Sequence, residues 1–116
     1  MSTLSHARTG TDPGRVRALV GAHRHAQAEH RSALAAESVR ALGVADRRSQ
    51  VILDALRRAG AEQLAAQLVG EAHAGTALIV ALTSDDAAPA EVERALSAFH
   101  DAHAAVDTAL RGLPDW

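Results

Sequence analysis

Apolar residues recur along this chain at alternating spacings of three and four, which is the signature of helices that bury one face. In the last quarter the stripe runs Val92, Leu96, Phe99, Val106 and Leu110. Val16, Leu19 and Val20 begin another near the start, and Leu64, Leu68, Leu78 and Leu82 mark a third. Val51, Ile52, Ala55, Leu56 and Ala59 supply one more between them. Residues 76–82 could pass for a buried strand, but no other segment offers a strand to pair with, so helix is expected there too.

Capping and breaking residues divide these stripes. Asp12 followed by Pro13 supplies an N-cap and a proline at the first helical position, so a helix is predicted over 13–42, stopped by Gly43. A second is predicted over 45–59, ended by Gly60, and a third over 61–83, closed by Ser84, Asp85 and Asp86. Pro89 opens the last, with Glu91 and Glu93 near its positive end, and Gly112 and Pro114 stop it. The expected fold class is all-α, a four-helix bundle over residues 12–116 preceded by a flexible tail over 1–11. The connection at Gly60 is short enough to allow an alternative, a three-helix bundle with a long bent central helix.

Composition narrows the chemistry. The 116 residues fit one domain, and 47% of them are apolar, yet only 2% are aromatic, so the core should be thin and the helices close. There is no Cys, which excludes disulfides, thiolate metal sites and thiol catalysis. No Gly-x-Ser-x-Gly elbow and no Gly-rich phosphate loop occurs, which argues against α/β-hydrolase chemistry and the common nucleotide folds. Residues 1–11 hold no apolar signal segment, and the strongly apolar run 76–82 falls short of the ~20 residues of a membrane span, so a cytoplasmic protein with no membrane contact is expected.

Charge is uneven: residues 1–60 hold ten Arg against five acids, and residues 61–116 hold two Arg against nine acids. Solvated helix surface accounts for this, and complementary docking of an acidic partner or a second copy is the functional reading. Residues 50–69 have the outline of a helix-turn-helix, but the would-be recognition helix carries Glu62 and Glu71 and no Arg, so nucleic acid is an unfavoured partner.

The distinctive feature is polarity on faces that should be buried. His103 falls where the last stripe calls for Leu, flanked by His100 and Asp107. The first stripe leads to His23, Gln27 and His30, and Glu71 and Gly75 interrupt the third. With helices running up-down-up-down, His23 levels with His103 and Asp107, His30 levels with His100, and Glu71 lies between. Burying such groups unpartnered costs roughly 1–3 kcal/mol each, so they should satisfy one another, a metal or a ligand.

The candidate site is therefore His23, His30, Glu71, His100, His103 and Asp107, with Zn, Fe, Ni, Cu, Mn or haem as the occupant, or with none, the histidines then being half-exposed or satisfied core residues. Ferritin-like carboxylate sites need Glu-x-x-His pairs on two helices, which are missing here; Glu71-Ala72-His73 has the wrong spacing. His6, His25 and His73 read as ordinary surface residues. The expected function is a small binding protein with this His-lined site, without catalysis unless metal-dependent. The alternative is a helical interaction module that self-associates or binds another protein, its thin seams completed by another chain, and third comes a helix-turn-helix-like regulator.

Overall fold

The computed structural model describes residues 12–114, which form four helices and no strand: α1 (Pro13–Ala35), α2 (Val39–Arg58), α3 (Glu62–Thr83) and α4 (Pro89–Arg111). The expected tail over 1–11 lies outside the described residues. Asp12 caps α1 as its chemistry dictates, accepting from the Gly14 and Arg15 amides at 3.0 and 3.3 Å.

α1 ends at Ala35 rather than at Leu42, and Gly43 lies inside α2. The stop is made by Glu37, which takes a left-handed φ of 56°. Its amide donates to Leu34 O at 3.1 Å and the Ser38 amide donates to Ala33 O at 2.9 Å, a Schellman closure. Ser38 then caps α2 by accepting from the Ala41 amide at 3.2 Å. Gly60, at φ 86°, builds the same closure between α2 and α3, with the Ala61 amide on Leu56 O at 2.9 Å. The two helices are distinct, so the three-helix alternative is set aside.

Three contacts fix α1 antiparallel to α4: Arg17 Nη2 donates to Leu113 O at 3.1 Å, Arg24 Nη1 donates to Asp107 at 2.9 Å, and the Arg31 guanidinium lies 5.5 Å from the Phe99 ring centre. Gln27 Nε2 donates to Ser49 Oγ at 2.8 Å and Glu29 pairs with Arg48, tying α1 to α2. Gly75 lets the Arg31 and Phe99 side chains lie close against α3, because a Cβ there would stand 3.1 Å from Arg31 Nη1 and 3.3 Å from Phe99 Cε1. This is the up-down-up-down order expected of the bundle.

The apolar core occupies one end of the molecule. Val16 and Val20 of α1 meet Leu53 and Leu56 of α2, Leu64 and Leu68 of α3, and Val106, the one buried residue of α4. Towards the other end, no residue from 76 to 105 is buried, although the segment includes Leu78, Ile79, Val92 and Phe99. Val80, Leu82 and Leu96 are 54%, 59% and 43% exposed. On α2, Val51 points outward, and Ser49 and Leu53 occupy the buried face instead.

α3 is more apolar over its length than its short run 76–82 suggests. Within its 22 residues an 18-residue stretch reaches a mean hydropathy of 1.3, long and apolar enough by length and composition to cross a membrane, and only 28% of that stretch is buried. Counting the strongly apolar run alone overlooked the contribution of the surrounding Ala, Gly and Val.

Candidate functional site

Glu71 stands at the middle of α3 and is 3% exposed. Its carboxylate accepts from Arg24, at 3.1 Å from Nε and 2.9 Å from Nη2 to Oε2, so the guanidinium presents two donors to it. The remaining arm of Arg24 reaches Asp107 Oδ1 at 2.9 Å, and Nη2 also donates to the His103 carbonyl at 3.3 Å. His103 Nδ1 lies 2.9 Å from Glu71 Oε2, and its Nε2 lies 3.7 Å from Asp107 Oδ2. Phe99, one turn earlier, stacks obliquely on the His103 ring at 5.8 Å between centres.

Three of the six candidate residues, Glu71, His103 and Asp107, therefore come together as their levels suggest, but around the side chain of Arg24. That arginine was missed because arginine content carries no weight in the pattern. A usable signal existed: a carboxylate on a buried seam needs a cation at its own depth, and Arg24 follows Val20 by one helical turn. Burial opposes the Arg24 charge, yet its hydrogen bonds to Glu71 and Asp107 outweigh this and hold it above its ordinary pKa. The hydrogen bond from Arg24 in turn holds the Asp107 carboxyl below the ordinary range.

His23 is buried, at 1% exposure, but does not join the network: neither of its ring nitrogens has a hydrogen-bond partner. Burial pushes its pKa below the ordinary value, with Glu71 pulling upward and Arg24 downward as smaller effects. His30 is half-buried, with Nδ1 also unpartnered. His100 is exposed on α4 and does not meet His30 as their shared level suggested. Among the described residues, no group of three or more His, Asp or Glu is arranged to hold a metal ion. The guanidinium fills the place between Glu71 and Asp107 that such an ion would take.

His23 and His30 instead share the wall of a cavity of about 130 Å³ between α1, α2 and α3, together with Asp46, Ser49 and the otherwise exposed His73. The turn at Gly60 that outlined a helix-turn-helix leads into an α3 whose first turn exposes Glu62 and Gln63, buries Leu64 and Ala65, and carries no cation. The fold and these sites define a four-helix, all-α protein with a charged network joining three helices and a histidine-lined cavity beside it. No family model, curated protein or solved structure matches the chain.

Proposed function

We propose that this protein is a self-associating interaction module, in which a second copy covers the apolar α3–α4 face. The observation that carries this reading is the run from 76 to 105, two helical segments rich in apolar side chains of which none is fully buried, Leu78, Ile79, Val92 and Phe99 being half-buried and Val80, Leu82 and Leu96 exposed. Helices of this length owe most of their stability to packing of an apolar face, so a face left open asks for a partner. The groove between the segments is lined by Ala77, Ala81, Ala87 and Ala95, small enough for another helix to approach, together with Val80, Ser84, Glu91 and Arg94.

Charge favours a second copy as the partner. In the up-down-up-down order the α1–α2 turn and the α3–α4 turn lie at the same end of the molecule. There α2 exposes Arg40 and Arg47 beside the exposed Glu37 and Asp46, while the α3–α4 turn and the start of α4 expose the four acids Asp85, Asp86, Glu91 and Glu93 beside a single arginine, Arg94. A two-fold pairing lets the basic patch of each copy face the acidic patch of the other, as an isologous interface requires. An anionic lipid surface would be repelled by those same four acids.

The metal and haem readings have less behind them. A cavity of about 130 Å³ lies well below the ~300–1,000 Å³ of ordinary cofactor pockets, which weighs against haem, and among the described residues no group of three or more His, Asp or Glu is arranged for a metal ion.

Val80→Asp and Leu96→Asp test the proposal by placing charges on the open face. Both variants should keep their helicity while losing self-association, read by light scattering. Variants that associate like the parent chain, or a parent chain that floats with anionic vesicles, would overturn it.

A further inference from the structure

The cavity between α1, α2 and α3 has a chemistry of its own, independent of the α3–α4 face. His23 is almost wholly buried on its wall, with both ring nitrogens unpartnered, and His30 Nδ1 is a second buried nitrogen without a partner. A helix interior does not retain such groups cheaply, because each forgoes hydrogen bonds that water would give it. Ser49, already accepting from Gln27, keeps a hydroxyl proton and a second lone pair.

The electrostatics of the wall select the sign of a ligand. Asp46 is its one acidic side chain among the described residues, and no arginine borders it. Arg24, the nearest cation in sequence to His23, is already committed to Glu71 and Asp107. A neutral imidazole accepts at one nitrogen, so His23 and His30 add acceptors beside the Asp46 carboxylate. A metal ion is poorly matched to this set, because residues seven apart on one helix are separated by ~10.5 Å along its axis.

We propose that this cavity binds a small planar cation rich in N–H donors, of the guanidinium or amidinium class, with His23 as the buried acceptor and the half-buried His30 and the exposed Asp46 on the same wall. A cavity of about 130 Å³ admits a molecule of only a few heavy atoms, so the ligand is such a group alone or as the end of a thin chain.

The test is a titration of the ¹⁵N-labelled full chain with guanidinium at low millimolar concentration, far below its denaturing range, followed through the histidine ring nitrogens. Sodium chloride at equal ionic strength and zinc chloride are run alongside. The His23 signals should shift saturably with guanidinium and the Tm should rise with the logarithm of its concentration above the dissociation constant. Both effects should vanish in His23→Leu and weaken at least tenfold in Asp46→Asn, and both should persist in Leu96→Asp, which separates this site from the self-association face. Equal shifts with sodium, no saturable shift, or saturation by zinc alone would each overturn the assignment.

Discussion

Arg24 meets Glu71 with two nitrogens, Nε at 3.1 Å and Nη2 at 2.9 Å from the same carboxylate oxygen, and so locks α1 to α3 at the centre of the molecule. The Glu71 side chain is 4% exposed and that of Arg24 is 26% exposed, so removing the arginine strands a buried carboxylate. Arg24→Ala should destabilise the fold by about 2–3 kcal/mol, less than the ~3–5 kcal/mol of a fully buried pair because Arg24 is partly hydrated. Arg24→Met with Glu71→Met should recover most of that loss, since well-packed apolar residues can replace a buried ion pair. Urea melts at one fixed protein concentration check this, and a double variant no better than the single one would contradict it.

Glu37 and Gly60 hold the same place in two matching helix stops, at φ 56° and 86°. Only glycine takes that conformation without steric cost, so Glu37→Gly should gain about 1 kcal/mol. Thermal melts of the variant should show a higher Tm, and an unchanged or lower one would contradict the turn described here.

Gly21 and Gly70 have open space where a Cβ would go, whereas a Cβ at Gly75 would press on Arg31 and Phe99. Gly21→Ala and Gly70→Ala should each stabilise the chain by about 1 kcal/mol, the ordinary helix preference for alanine. Gly75→Ala should gain distinctly less or lose stability, because its neighbours must give way. Equal gains at all three positions, measured by urea melts, would show that α1, α3 and α4 do not approach as closely as described.

Burial holds the His23 pKa below its ordinary 6.5, so the unfolded chain takes up a proton at a pH where the folded chain does not. Stability contributed by this residue is therefore undiminished above pH ~6.5 and declines as pH falls from there towards the lower folded value. The groups that set its field are Glu71 on α3 and Arg24 beside it on α1, and His30, Asp46 and His73 line the same cavity. His23→Leu should remove this part of the slope and, by replacing an unpartnered polar ring, raise stability at neutral pH by about 1 kcal/mol. Urea melts across pH 5–7 check the sign, and a parent chain whose stability rises on acidification in that window would contradict it.

The fold was legible because its breaks are chemical. Asp12-Pro13, Gly60 and Pro89 each act through a backbone property that tertiary context does not override, and three of the four helix starts follow them closely. The α1–α2 boundary was not legible, since a glutamate made the stop and Ala-rich helix formers continued the pattern across it. For the site, depth along antiparallel helices put Glu71, His103 and Asp107 at neighbouring levels, and the structure places them in contact around Arg24. It could not show that Arg24 would fill the space between them, because a long side chain reaches across a seam that counting assigns by Cα position. His100 and Val51 were misplaced for a related reason: on alanine-rich helices several faces are equally apolar, and the one that packs is chosen by neighbouring helices.

The most direct test of the account is the mass of the untagged chain by sedimentation equilibrium, from low to high micromolar protein and at low and high salt. The open α3–α4 face and its complementary charges predict a species of twice the 12.1 kDa chain mass, which gives way to monomer on dilution and more readily at high salt. A mass that stays at that of one chain across the whole range would contradict it.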